Sequence, residues 1–227
     1  MFFLLLFSYN TVYALAINNL RVEFTRNFKR KDIEETIEGI LYYRFPEKVL
    51  AYIYKPIKQW MSFENNEILI YYPEDSIAFK FISPYPVSFS FFETFLNVMK
   101  EDFGVCSRGY SLLNHEIKKD TLITYWKPPK EISEKIGELK LVFVDNTIIS
   151  SELEKTTGEI LLKTSYSEHF DYGEYHFPLE ISSSLFTDTD TVLEKISFKN
   201  PAFNDSLPQE VAKFKIPEGI EVEEIRW

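Results

Sequence analysis

Beyond residue 20 the chain is organised by a period of two: apolar and polar side chains alternate in short runs that end at turn residues. Such a pattern suits a strand with one buried face, because successive side chains of an extended backbone point to opposite sides. Residues 21–27, 37–45, 49–54, 61–63 and 68–72 read this way, with Glu64-Asn65-Asn66 as a hairpin turn between the last two. Further runs cover 121–126, 139–144, 148–153, 160–166, 176–182, 192–198 and 211–216. Asp145-Asn146 and Thr157-Gly158 supply turns among them. Pro128-Pro129 stops the run at 121–126, since proline brings no donor to a ladder. Connections this short leave no room for crossover helices, so the expected fold is mainly antiparallel β, a meandering sheet.

One stretch breaks the period. Pro84 and Pro86 interrupt strand pairing, and residues 88–100 then read as a helix, with Ser90 as N-cap and Glu93 three positions on. Phe92, Phe95, Leu96 and Met99 gather on one side of it, and Phe89 and Phe91 widen the apolar surface. A helix this aromatic must press on the sheet or on a bound ligand, and the residues leave both readings open. Phe79, Phe81 and Tyr85 crowd the same region. A curved sheet beneath them can leave an apolar hollow, in which an acyl chain gains roughly 0.8 kcal/mol per buried methylene without precise polar partners.

Composition narrows the function. With 227 residues, 45% hydrophobic and 17% aromatic, the chain has enough apolar material for a sizeable core and too much for disorder. Nothing in the composition marks a linker, so residues 17–227 are expected to form a single domain. A net charge of -10 repels phosphate backbones, and no nucleic-acid partner is expected. The lone cysteine, Cys106, excludes an intramolecular disulfide and reads as a small buried apolar side chain. The three histidines, His115, His169 and His176, match no zinc spacing, and no nucleophile elbow or phosphate loop is present. The expectation is therefore a protein without catalytic residues, metal or cofactor. Met1 to Ala16 combines an apolar run at 2–7 with small residues at Ala14 and Ala16, the pattern of a secretory signal peptide ending at Ala16; an amphipathic helix and a retained anchor are the alternatives.

Two blocks of motifs carry a resemblance. The first holds Phe24-Thr25-Arg26, then Gly39 through Pro46, then Tyr52, Tyr54 and Pro56, Glu64-Asn65-Asn66 and Ile70-Tyr71-Tyr72-Pro73. The second runs from Phe203 to Pro208 and from Phe214 to Val222. In order and spacing the two blocks resemble the LolA-type periplasmic carriers of outer-membrane lipoproteins, over roughly residues 24–222. The resemblance implies an unclosed β-barrel of about eleven antiparallel strands, with short helices as a lid over an apolar cavity. It implies a monomeric carrier in the periplasm that shields the acyl chains of lipoproteins or lipid. Cargo would come from an inner-membrane lipoprotein-releasing transporter and pass to an outer-membrane acceptor. On this reading Phe24, Tyr43, Leu50, Tyr52 and Tyr54 line the cavity from the strands, and Phe89, Phe92, Leu96 and Met99 line it from the lid. Ordinary core packing is the competing reading for each of them.

The chain also departs from the family. Counting between Pro46 and Pro56, Leu50 stands where the family carries an arginine associated with lid closure and transfer. Only the few residues from Ile17 onward separate the expected signal from Phe24, where family members have a helix. A lipid- or lipoprotein-sensing module, or a structural envelope protein with a filled barrel, is the alternative function for the same fold.

Overall fold

The computed structural model describes residues 16–45, 48–64, 66–82, 90–100 and 102–226, so the expected signal segment lies outside the described residues except for Ala16. Alternation acts as expected in the first strand, β1 (Asn19–Arg30), where Leu20, Val22 and Phe24 are buried and their neighbours are not. The tight turn at Lys31 and Asp32 folds β2 (Ile33–Arg44) back on β1 in full register, from Asn19 opposite Arg44 to Arg30 opposite Ile33. β3 (Lys48–Lys55), β4 (Gln59–Glu64), β5 (Glu67–Tyr72) and β6 (Ile77–Ile82) continue the meander, each antiparallel to the one before. Gly39 of β2 has to be glycine. A Cβ there would sit 2.6 Å from the Tyr52 carbonyl oxygen and 2.7 Å from the Phe24 ring, inside any real contact distance.

The chain then leaves the sheet for α1 (Ser90–Leu96), a 3-10 turn at Asn97–Met99 and a second at Cys106–Arg108. The α-helix ends before the expected residue 100 because Asn97 turns on its own backbone; residues 88 and 89 lie outside the described residues. With its amide oriented to satisfy both ends, Nδ2 donates to the Glu93 carbonyl at 3.3 Å and Oδ1 accepts from Arg108 at 3.2 Å. An asparagine amide competing for a helical carbonyl in this way ends an α-helix. The backbone closes instead through the Lys100 N–H to the Asn97 carbonyl, at 3.0 Å.

A second meander starts at the far edge of the same sheet with β7 (Ser111–Lys118), β8 (Thr121–Lys127), β9 (Ile136–Val144), β10 (Thr147–Lys155), β11 (Ile160–Tyr172), β12 (Tyr175–Phe186) and β13 (Thr191–Phe203). It returns to the middle, where β13 pairs with β1. Asp145 and Asn146 take left-handed φ values of 48° and 63°, the geometry that a two-residue hairpin turn between β9 and β10 demands. Last, β14 (Val222–Arg226) lies parallel to β6 on the opposite edge. Among the described residues the result is one sheet of fourteen strands, antiparallel apart from that final pair, whose order runs from β14 through β6 and β1 to β7.

The expected architecture thus holds as a mostly antiparallel sheet with a small helical region, and differs in three respects. Among the described residues the strands number fourteen rather than about eleven. The ladder ends on β14 and β7, which do not pair with each other, so the described sheet is open. Residues 211–216, expected as a strand, begin inside α2 (Gln209–Ala212) instead. Val211 and Phe214 are three apart, and Val211 and Ala212 both donate to the Pro208 carbonyl, so the spacing is helical and both side chains reach one patch of the sheet. Cys106, expected to be buried, is exposed on the second 3-10 turn. Among the described residues no helix is long and apolar enough to cross a membrane.

Most of the core lies on the face that carries α1. Phe95 is fully buried there, its ring 4.5 Å from that of Phe198 on β13 and 5.0 Å from that of Phe177 on β12. Phe92 stacks beside it, at 6.0 Å. A smaller cluster of Tyr42, Leu50 and Val211 occupies the other face beneath α2, with Tyr52, Trp60 and Phe214 packed against it.

Candidate functional site

Between the helical segment and the half of the sheet formed by β9 to β13 lies a hollow of about 480 Å³. Its floor follows from strand register. Leu139, Leu153, Leu162, Leu185 and Val192 stand directly opposite one another on β9 to β13 and form an aliphatic row nearest the hairpin ends. Two residues further along each strand, Leu141, Ser151, Thr164, Ser183 and Glu194 form a second row. Tyr166, Ile181 and Ile196 form a third, deeper in the fold. All three rows lie on one face because cross-strand partners share a face and the side-chain period is two.

The opposite wall comes from the segment between the meanders. Thr94 and Asn97 contribute from α1 and the turn after it, and Phe103, Val105, Arg108 and Tyr110 from the loop that follows. That loop is tied locally. The Asp102 carboxylate accepts hydrogen bonds from the N–H groups of Gly104 at 2.9 Å and Cys106 at 2.7 Å. Burial pushes the Asp102 carboxyl up, but the Cys106 thiol and these backbone N–H groups together outweigh it and hold the group below its ordinary range. Gly104 sits at a left-handed φ of 72° against the Asn97 side chain, where a Cβ would meet the amide at 2.7 Å. Phe103 packs edge-on to Tyr166, with centroids 5.6 Å apart.

Charge around the hollow is paired. Arg108 donates to Glu93 at 2.9 Å, and Arg26 donates to Glu194 while its guanidinium lies 5.5 Å from the Phe28 ring centroid. Tyr166 is almost wholly buried, and desolvation pushes its phenol up to about 12, offset in part by the neighbouring Ser151 and Thr164 hydroxyls. The phenol therefore stays protonated at neutral pH. Aliphatic rows, hydroxyls and neutralised charges give the hollow the means to hold an apolar body and orient a polar group on it.

The sequence-predicted candidates do not share one wall. Phe24 and Tyr43 face the α1 side but are core residues, and Phe24 packs against Gly39. Phe92 is 1% exposed and belongs to the same core, with Leu96 and Met99 packed against it. Leu50, Tyr52 and Tyr54 do fall on a common face, as the period of two requires, but it is the opposite face of the sheet. Phe89 lies outside the described residues. Of the eight described candidates none lines the hollow. Tyr52 lines a different and larger cleft, of about 850 Å³, beneath the C-terminal segment, where its ring stacks on Trp60 at 4.5 Å and Trp60 stacks on Phe214 at 5.1 Å. Lys58, Glu74, Glu210, Lys213 and Lys215 rim that cleft, so it offers charge where the hollow offers aliphatic rows.

Sequence reasoning passed over the residues that do line the hollow. Most of the strand residues among them fell in runs legible as strands, although Ser183 and Leu185 lie beyond the expected run at 176–182, and Ser151, Thr164, Ser183 and Glu194 interrupt the apolar side of the alternation. Only the register shows that these four stand side by side.

The sequence matches no family model, and no curated protein matches it in sequence. Solved structures resemble it in three dimensions. A DUF1329 family protein from Desulfovibrio piger superposes with a TM-score of 0.59 at 13% identity, covering 87% of this chain and 90% of that one. A LolA superfamily protein from Nitrosomonas europaea gives 0.56 at 11% identity over 87% and 90% of the two chains. A domain assigned to an outer-membrane lipoprotein-sorting protein of Vibrio parahaemolyticus gives 0.57 at 10% identity over 86% and 89%. What these likenesses establish is a shared fold, that of the DUF1329 and LolA-superfamily structures.

Proposed function

We propose that this protein is a non-enzymatic carrier in the periplasm that shields the acyl chains of lipoproteins or lipids on the α1-bearing face of its sheet. The observation that carries the reading is the hollow of about 480 Å³ walled by aliphatic rows. That volume lies in the range of roughly 300–1,000 Å³ typical of small-molecule sites. Shielding follows from the hydrophobic effect: each methylene taken from water into such a hollow contributes about 0.8 kcal/mol, with no demand on geometry. The fold shared with LolA-superfamily and lipoprotein-sorting structures supports the same use. Cargo would be received from an inner-membrane transporter and given to an outer-membrane acceptor. Release then has to proceed without the family's arginine, since Leu50 packs under Val211 on the far face.

Native mass spectrometry of the protein purified from its envelope tests the proposal. Recovery of bound acylated lipoprotein or lipid is expected. Leu162→Arg places a cation in the outermost aliphatic row, where Leu162 is half-buried, and should reduce retained lipid at least tenfold with the fold intact by circular dichroism. Protein recovered empty under conditions that keep cargo on an established carrier would count against carriage.

A further inference from the structure

The middle row of the hollow is the feature that simple lipid shielding leaves unexplained. Ser151, Thr164 and Ser183 are direct cross-strand neighbours on β10, β11 and β12, with an aliphatic row on one side and Ile181 and Ile196 on the other. The Thr164 and Ser183 oxygens are 3.0 Å apart, as are those of Ser151 and Tyr166. Each hydroxyl pair shares one of its two protons and retains the other as a donor. A saturated chain laid across this row would strip water from those donors and return nothing, at roughly 1–3 kcal/mol for each group left unsatisfied. Formal charge is a poor match as well. Glu194 ends the row and is paired with Arg26, while Arg108 is paired with Glu93. An uncharged acceptor flanked by hydrocarbon satisfies all three rows at once.

We infer that the hollow recognises the carbonyl of an acyl ester, hydrogen-bonded to the Ser151, Thr164 and Ser183 row while the chain lies on the aliphatic rows. This rests on the carriage reading above and names the part of the ligand that the polar row meets. It separates an esterified acyl chain from a bare hydrocarbon or an ether-linked one, which the same apolar walls accept equally well.

The test uses two probes of equal chain length, 1-monopalmitoylglycerol and 1-O-hexadecylglycerol, which differ in the carbonyl alone. Calorimetric titration of the delipidated protein should give about tenfold tighter binding of the ester, the worth of one or two buried hydrogen bonds. The double variant Thr164→Val with Ser183→Ala should bring the ester down to the affinity of the ether and leave the ether unchanged. Equal affinities in the wild-type protein overturn the inference and leave carriage standing, and this comparison decides even where the double variant fails to fold. An ester preference that survives in a folded double variant also overturns it. Failure of both probes to bind overturns the carriage reading together with the inference.

Discussion

Phe95 shows how one side chain fixes where a hollow can and cannot be. Its ring is fully buried against Phe177 and Phe198, so α1 is pinned to β12 and β13 and the space directly beneath it is filled. The cavity is displaced sideways, to where Thr94 and Asn97 face the sheet. Phe95→Ala should lower the free energy of unfolding by about 3–5 kcal/mol, the usual result of deleting a buried aromatic ring and leaving a void. Urea denaturation followed by circular dichroism would show it as a fall in midpoint; a change below 1 kcal/mol would mean that the segment docks by other contacts. Phe92, 1% exposed and stacked on Phe95, belongs to the same plug, so its aromatic character serves packing.

At the scale of elements, the loop of residues 102–110 matters more to the hollow than the helix before it, because Phe103, Val105, Arg108 and Tyr110 all come from it. The Asp102 carboxylate organises that loop by accepting from two backbone N–H groups. A carboxyl held below its ordinary value in the folded state adds stability that is present above the unfolded pKa of roughly 3.9 and is lost as pH falls through the folded value. Asp102→Ala should therefore cost about 1 kcal/mol at pH 7, in the range of a side chain that caps backbone donors. The difference from wild type should shrink as pH falls below about 4, by urea denaturation at each pH. A difference independent of pH would show that the carboxylate charge plays no part.

Across the whole molecule, the two edges of the open sheet are protected unequally. β7 is an edge strand with a bulge between Leu112 and Asn114 and with Glu116 and Lys118 on it, features that disfavour edge-to-edge pairing. β6 is covered by β14, which places Glu223 opposite Phe79 and Ile225 opposite Phe81. Deleting residues 222–227 should uncover the aromatic β6 edge and promote self-association, seen by light scattering as a larger mass than the full chain shows at equal concentration. A truncated chain that associates no more than the full one would mean that β6 needs no cover.

Alternation along β1, β2 and β3 and the turns at Asp145-Asn146 and Gly158 were readable residue by residue, because strand period and left-handed turn geometry are local properties. So was the common face of Leu50, Tyr52 and Tyr54. Which side of the sheet that face lies on was not readable, since a period of two separates two sets of residues without naming the set that meets the helix. The strand at 211–216 was misread because Val211 and Phe214 suit a helical turn on a sheet as well as they suit a strand. The sequence by itself determined a mainly antiparallel meander rich enough in aromatic residues to need a covering segment. Only the tertiary structure decided that this segment fills the space beneath α1 and leaves it open over β9 to β13. It alone aligned Ser151, Thr164 and Ser183, because their adjacency is a matter of register between strands far apart in the chain.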